Sequence, residues 1–218
     1  MGTVTAGAIL DKAAIQLTDL TSIRWTRAEL LSWLNMAQQA LILAVPEASA
    51  TTALVTTVAG VRQSIPSDGW VLLSANRNMG TSGTTPGRAL EETRREILTR
   101  NNPSWGTDTA TAVAAAYIYT PLDKTVFWIY PPADSSGNKV EVTYSQAPVA
   151  ITSEATAIMV NNIYEPMLLD YVLYKACMKD AEYAPGVQLA QGYLATFTSL
   201  MQALQGSSRN VTTEMDKV

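Results

Sequence analysis

The fold is set by residues 117–145, YIYTPLDKTVFWIYPPADSSGNKVEVTYS. Turn-forming residues divide this stretch into three apolar runs, which lie at 117–120, 126–130 and 139–145. In the last run Val140, Val142 and Tyr144 alternate with polar residues, as a strand with one buried face and one solvated face requires. The pattern predicts three consecutive antiparallel strands in the middle of the chain.

Upstream of these strands the sequence again shows short apolar runs of strand length. Residues 54–58 and 61–65 meet around Ala59-Gly60, which predicts a β-hairpin, and residues 70–75 predict a further strand. About five or six strands are enough for a small sandwich or barrel. The remaining segments are predicted as an exposed Gly/Thr/Ser loop at 79–87 and a short charged helix at 90–99, while 107–116 stays unassigned.

Helical periodicity occupies both ends of the chain. Residues 9–17 predict a short amphipathic helix. A second helix at 27–44 is predicted to begin with a capping box between Thr26 and Glu29, with Trp25 and Leu30 placed for a hydrophobic staple. Near the C-terminus, two helices at 163–181 and 186–204 are separated by a Pro-Gly turn, and the second repeats apolar residues at heptad spacing: 187, 190, 194, 197, 201 and 204.

These elements predict an α+β protein, in which the N- and C-terminal helices form a helical bundle with an inserted antiparallel β-sandwich or barrel. The expected domains are residues 1–50 with 160–206 for the bundle, and 51–159 for the β module. Gly206 is expected to end the last helix, so residues 207–218 are interpreted as a flexible tail that orders on a partner. Its candidate partner contacts are Arg209, Asn210, Val211 and Met215.

Composition excludes most enzyme classes. The chain has no histidine and one cysteine, Cys177, so Ser-His and Cys-His nucleophiles, disulfides and thiolate metal clusters are all excluded. No catalytic, metal or cofactor site is predicted, and Cys177 is expected to be buried. Charged residues make up 16% of the chain against about 25% in typical proteins. No signal peptide or membrane span is expected, which predicts a soluble protein made in the cytoplasm.

The central aromatic residues admit two interpretations. They either form a stacking platform for bases or sugars, or they pack in the core and at interfaces, and strands favour the second. The residues concerned are Tyr117, Tyr119, Phe127, Trp128, Tyr130 and Tyr144. The charged residues at 91–96 similarly favour a solvated, salt-bridged face over a catalytic carboxylate pair.

Several short segments, in order and spacing from residue 8 to 204, resemble the phage adaptor proteins of the head-tail junction, including the tail tubular and gatekeeper-type adaptors of short-tailed phages. The segments are Arg24-Trp25-Thr26, Glu29-Leu30, Leu34-Asn35, Arg77-Asn78-Met79, Pro103 with Trp105, Phe127-Trp128-Ile129-Tyr130-Pro131-Pro132, 170–176 and 179–185. The chain departs from the family pattern in the Thr-rich stretch 107–116 and at Thr120, where an acidic residue is common.

The resemblance implies a virion protein at the head-tail junction, assembled in the cytoplasm of a bacterial host. Its copies would form a ring, expected to be a dodecamer, that binds the portal protein and the tail nozzle protein, with a tail fibre as a further partner. DNA would pass through the channel without specific binding, which the net charge of -4 favours. Within this scheme Arg77, Asn78 and Met79 are candidate partner contacts, whereas Trp25, Thr26 and Glu29 are structural.

Two functions from other classes stay open at the level of sequence. A carbohydrate-binding or receptor-binding phage module would use the sheet at 117–144. An enzyme without histidine would depend on carboxylates such as Glu91 or Asp123, and it has the least support.

Overall fold

A computed structural model describes residues 2–179 and 184–215, with the side chains of 184 and 207–215 outside that description. The chain forms two compact units. Residues 1–49 and 148–218 form the helical unit, and residues 50–147 form the β unit. The β unit is therefore one continuous segment, whereas the helical unit is assembled from two separate segments of the chain.

The helices and strands follow one another in an order that places helices at both ends of the chain. The helices are α1 (Ala6–Gln16), α2 (Arg27–Ala44), α3 (Arg95–Asn101), α4 (Glu165–Lys179) and α5 (Ala184–Met215). The strands are β1 (Ala50–Thr56), β2 (Gly60–Ser64), β3 (Gly69–Asn78), β4 (Glu91–Glu92), β5 (Ala116–Tyr119), β6 (Val126–Ala133) and β7 (Lys139–Gln146). The predicted α+β class is confirmed.

The first two helices form for the reasons that the sequence indicates. The Thr5 hydroxyl accepts a hydrogen bond from the Ala8 N–H and caps α1, which buries Ile9 and Leu10. The predicted capping box of α2 is present: the Thr26 hydroxyl accepts from the Glu29 N–H, and the Glu29 carboxylate accepts from the Thr26 N–H. The apolar stripe of α2 then lies in the core of the helical unit.

The last two helices pack against each other. The Tyr171 ring of α4 meets the Phe197 ring of α5 edge to face, with centroids 5.2 Å apart. Ala190, Phe197 and Met201 are buried, so three positions of the predicted heptad face the neighbouring helices. Cys177 is buried in α4, as expected, and belongs to no disulfide.

The predicted end of the last helix at Gly206 is wrong. The backbone of α5 stays helical through Gly206 to Met215. A glycine ends a helix when it adopts a left-handed conformation, and Gly206 is not among the residues with positive φ. Because no proline follows, the helix continues at a cost of about 1 kcal/mol for an interior glycine. The expected tail therefore begins as helix, and residues 216–218 lie outside the described residues.

The β unit contains two sheets, one with the order β1-β7-β3 and one with the order β2-β6-β5-β4. The predicted hairpin between β1 and β2 is wrong, because β1 pairs with β7 and β2 pairs with β6 in the other sheet. The Gln63 side chain binds both the N–H and the C=O of Val58, at 2.8 and 2.7 Å. These bonds hold the connection in a shape that carries the chain from one sheet to the other.

The three central strands are also divided between the sheets. β5 and β6 form the predicted antiparallel hairpin. β7 instead lies at the centre of the three-stranded sheet, antiparallel to both β1 and β3, so the prediction of three consecutively paired strands is wrong at β7. The alternation in β7 is as predicted, with Val140, Val142 and Tyr144 buried.

One apolar cluster joins the two sheets into a sandwich. The cluster contains Leu72 and Val142 from one sheet and Tyr117, Phe127 and Ile129 from the other. Phe127 is fully buried at its centre. The predicted sandwich or barrel is therefore realised as two layers with a shared core.

The segment 90–99 is not a single helix as predicted. Glu91 and Glu92 form β4, which pairs in parallel with β5, and the helix begins only at Arg95. The physical reason is that Leu90 is buried with the core cluster, while the Glu91 N–H donates to the Ala115 C=O at 3.1 Å. The apolar anchor and the strand pairing together outweigh the helical charge spacing.

Candidate interaction surfaces

The segment from Trp25 to Glu29, predicted from the sequence to be structural, contacts α4. Trp25 is 8% exposed, and its indole N–H donates to the Ala176 C=O of α4 at 2.9 Å. The Lys179 ammonium at the end of α4 donates to the Glu29 carboxylate at 2.7 Å and to the Arg24 C=O at 2.9 Å. The start of α2 is thus tied to α4 by an apolar anchor and by an ion pair.

Immediately before this segment, a tight turn holds large apolar side chains in solvent. The Asp19 carboxylate accepts hydrogen bonds from three backbone N–H groups, those of Ile23, Arg24 and Trp25, at 2.9–3.1 Å. Thr18 and Ser22 adopt left-handed conformations, with φ of 54° and 52°. The same turn leaves Leu20 75% exposed and Ile23 81% exposed. We therefore treat this turn as a candidate interaction surface.

Sequence patterns did not identify Asp19, because its three partners are backbone groups without a side-chain signature. Its bonds with the Trp25, Ile23 and Arg24 amides lower the pKa of the Asp19 carboxyl. The Lys179 ammonium likewise lowers the pKa of Glu29. The Arg27 guanidinium, whose Nε donates to the Glu154 carboxylate at 3.0 Å, lowers the pKa of that carboxyl. All three carboxylates lie in the helical unit.

These lowered pKa values predict that the helical unit loses stability in acid. A carboxyl whose pKa is lower in the folded chain stabilises the fold fully above its unfolded pKa, near 4, and ceases to do so as pH falls through the folded value. Urea unfolding followed from pH 7 to pH 3 should therefore show a falling midpoint below about pH 5. Asp19→Asn should reduce this dependence. Equal slopes in the wild-type protein and in Asp19→Asn would contradict the assignment.

In the element Arg77-Asn78-Met79, Asn78 is buried and the other two residues are accessible. Asn78 is 2% exposed, and its amide donates to the C=O groups of Arg88 and Ala114, both at 2.8 Å, and accepts from the Ala114 N–H at 3.0 Å. It therefore holds three segments of the β unit together. Arg77 is exposed and Met79 is half-buried, so these two stay predicted partner contacts.

The aromatic residues of the central strands lie mostly in the core. Tyr117, Phe127 and Tyr144 are each at most 5% exposed, which confirms packing for these three. Burial and the adjacent Glu92 carboxylate raise the pKa of the Tyr117 hydroxyl, whose O–H donates to that carboxylate at 3.0 Å. Trp128 remains half-buried, with the Arg95 guanidinium 4.8 Å above its ring.

A groove of about 370 Å³ lies beside Trp128. It is lined by Glu92 and Arg94 before α3 and by Tyr119 and Leu122 at the β5–β6 turn. Leu122 is 96% exposed at this turn. The groove combines apolar and charged walls. Asp123, at the same turn, lies 3.8 Å from the Arg62 guanidinium.

The last helix presents a long uncharged surface. Residues 184–208 contain no Asp, Glu, Lys or Arg. Its exposed residues include Gln191, Ala195, Ser199 and Ala203, which are small or polar. The candidate contacts Arg209, Asn210, Val211 and Met215 follow on the same helix, and their side chains lie outside the described residues, so their role stays a prediction.

The acidic excess of the protein belongs to one unit. The β unit has eight basic and eight acidic residues, so the net charge of -4 is carried by the helical unit. Over residues 2–179 and 184–215, no group of His, Cys, Asp and Glu side chains is arranged to hold a metal ion. Within the same residues, no helix is long and apolar enough to cross a membrane.

Comparison with known families gives one match, which covers both units. The family model described as SU10 adaptor protein matches residues 4–215. This match confirms the resemblance to phage adaptor proteins that the short segments indicate. No curated protein matches the chain.

Proposed function

We propose that this phage adaptor protein is a structural virion protein that joins the head to the tail. The chain belongs to the SU10 adaptor protein family. Its copies form a ring, a dodecamer, that lies between the portal and the tail nozzle and extends the DNA channel. The observation that carries this proposal is the family match, because it spans nearly the whole chain rather than one unit.

The partners follow from this position. The portal protein contacts one end of the ring and the tail nozzle protein the other, with a tail fibre as a further partner. Arg77 and Met79 in the β unit, and the end of α5 with Arg209, Asn210, Val211 and Met215, are the proposed contacts. The protein acts by binding, without catalysis.

The turn around Asp19 supports a repeated contact between subunits. A ring is built from one heterologous interface, in which a patch on each copy meets a different patch on the next. Leu20 and Ile23 are exposed on a turn that three hydrogen bonds to Asp19 hold rigid. A preformed apolar projection of this kind binds with little loss of conformational entropy.

The distribution of charge supports a channel that DNA traverses. The uncharged residues 184–208 of α5 can pack beside a neighbouring subunit without burying a charge. The acidic excess of the helical unit repels phosphates, so DNA would slide rather than bind. The carbohydrate-binding alternative has less support, because three of its six aromatic residues, Tyr117, Phe127 and Tyr144, lie in the core.

Mixing the protein with its purified portal tests the proposal. Negative-stain images and mass measurements should show rings on the portal, with assembly greatly reduced in the double variant Leu20→Ser/Ile23→Ser. Both residues are exposed, so these changes should leave the free energy of unfolding within about 0.5 kcal/mol of wild type. Leu122→Ser, at another exposed apolar residue, is the matched control and should assemble normally.

The same assay examines the C-terminal segment. Deletion of residues 207–218 should weaken portal binding, because it removes the far end of α5. Undiminished binding would eliminate the role proposed for this segment alone. A wild-type protein that neither binds the portal nor forms rings would contradict the proposed function as a whole.

A further inference from the structure

The two sheets of the β unit end in four edge strands, β1 and β3 in one sheet and β2 and β4 in the other. An edge strand exposes unpaired N–H and C=O groups, which pair readily with a strand of another chain. Proteins therefore protect such edges with charges, irregular register, short length or covering segments. An edge without any of these devices is available for pairing.

Three of the four edges are protected. β4 consists of two glutamates. β2 is short, carries the exposed Arg62 and has an irregular register between Gly60 and Arg62. β3 has three register shifts, and segments other than β7 bond to it: the Leu72 N–H donates to the Lys124 C=O, and the Asn78 N–H to the Arg88 C=O.

β1 is neither charged, nor short, nor irregular in register. Its seven residues, ATTALVT, include no charge and no proline. Its register with β7 is continuous from Ala50 opposite Ser145 to Thr56 opposite Lys139. Among the described ranges 2–179 and 184–215, no backbone group bonds to the other side of this strand.

The hydrogen-bond pattern identifies which backbone groups of β1 are unpaired. The Thr57 N–H donates to the Asn138 C=O at 2.8 Å and extends the β1–β7 ladder by one residue. Residues of an antiparallel strand bond alternately to one side and to the other. Residues 51, 53 and 55 therefore bond to β7, and residues 50, 52, 54 and 56 direct their N–H and C=O groups to the free edge.

The side chains of β1 indicate that a further strand would complete the packing. Ala53 and Val55 pack against the core cluster but remain half-buried. Leu54, on the opposite face, is 43% exposed. A strand added at this edge would cover part of all three side chains.

We propose that β1 pairs antiparallel with β1 of a second copy of this chain, about a two-fold axis at Ala53. In this register Thr52 lies opposite Leu54 of the second copy, and Ala50 lies opposite its Thr56. Every residue whose backbone groups point to the free edge then lies opposite another such residue, which gives about eight backbone hydrogen bonds between the chains. No charged residue enters the interface, whereas pairing with β2 or β4 of a second copy would bring in Arg62 or the glutamates.

This contact goes beyond the proposed ring and does not depend on it. A two-fold interface uses the same patch on both copies and closes on itself, whereas a ring repeats a heterologous interface. The pairing joins the β1-β7-β3 sheets of two copies into one continuous sheet. It thus describes a dimer of the free protein, which covers the unprotected edge.

Mass measurement by sedimentation or light scattering on the full chain tests the dimer. The wild-type protein should approach twice the chain mass of 23.5 kDa as concentration rises. The double variant Thr52→Lys/Leu54→Lys sets like charges opposite each other in both central pairs and should remain a monomer. Thr52→Lys/Leu54→Glu sets opposite charges there and should recover the dimer, and Ser64→Lys on β2 should leave it unchanged.

Cysteine cross-linking tests the register. Ala53→Cys places two thiols opposite each other in a pair without hydrogen bonds, where Cα atoms lie about 4.5 Å apart and a disulfide can form. Mild oxidation should therefore cross-link Ala53→Cys much faster than Thr56→Cys, whose position faces Ala50 of the second copy. The proposal is overturned if the wild-type protein stays a monomer at all concentrations. This holds even if β1 is found to pair with a different protein of the junction. The proposal is equally overturned by a dimer that both lysine substitutions leave intact, or by equal cross-linking at the two positions.

Discussion

Replacing Asn78 by alanine is expected to destabilise the β unit by about 3–5 kcal/mol. The side chain is 2% exposed, and its amide makes hydrogen bonds to Arg88, Ala114 and Asn138. Alanine would leave the buried N–H and C=O groups of Ala114 without these partners, and each such group costs about 1–3 kcal/mol. Denaturant unfolding monitored by tryptophan fluorescence measures the loss directly, since the β unit contains Trp70, Trp105 and Trp128.

The adjacent residue provides the control. Arg77 lies on the same strand and is exposed, so Arg77→Ala should change the free energy of unfolding by no more than about 0.5 kcal/mol. If the two variants unfold alike, Asn78 does not hold the segments of the β unit together. Arg77→Ala should still weaken partner binding if this residue is a contact. Measurements of stability and of binding therefore distinguish the structural role of Asn78 from the contact role of Arg77.

Replacing Trp25 by alanine is the second large effect, with an expected loss of about 3–5 kcal/mol in the helical unit. The indole is 8% exposed and ties the start of α2 to the Ala176 C=O of α4. Trp25→Phe keeps most of the apolar volume but removes the N–H, so it should cost only about 0.5–1.5 kcal/mol for the hydrogen bond, plus the lost packing. Thermal unfolding followed by far-ultraviolet circular dichroism distinguishes the two variants.

Ile23→Ala serves as the control for this prediction. Ile23 lies two residues away and is 81% exposed, so its truncation should have almost no effect on stability. A loss comparable to that of Trp25→Ala would show that the turn itself, rather than the buried indole, holds α2 in place.

Local patterns predict the helices well and the pairing of strands poorly. The capping box at Thr26 and the apolar stripe of α2 involve neighbours in sequence, so their physics is visible in a short window. Sheet membership depends on distant segments: β1 meets β7 some 90 residues later, at Ala50 opposite Ser145. The Gln63 side chain, which bonds to the backbone N–H and C=O of Val58, gives no signal in the alternation of apolar residues.

The candidate surfaces show the same limit. The short element Arg77-Asn78-Met79 is visible in sequence, but only burial distinguishes the structural Asn78 from the exposed Arg77. The rigid turn around Asp19 depends on backbone donors at residues 23–25, so residue types alone do not reveal it. The edge of β1 is recognised as unprotected only by comparison with the other three edge strands, so its identification requires the full strand order of both sheets.

The division of the helical unit into two chain segments has a consequence for synthesis on the ribosome. The Ala176 carbonyl that accepts the hydrogen bond of the Trp25 indole is synthesised 151 residues after Trp25. The β unit is continuous from residue 50 to 147, so all of it is synthesised before the second segment of the helical unit, which begins at residue 148. The apolar face of α2 that packs against α4 therefore stays unburied until α4 has been synthesised.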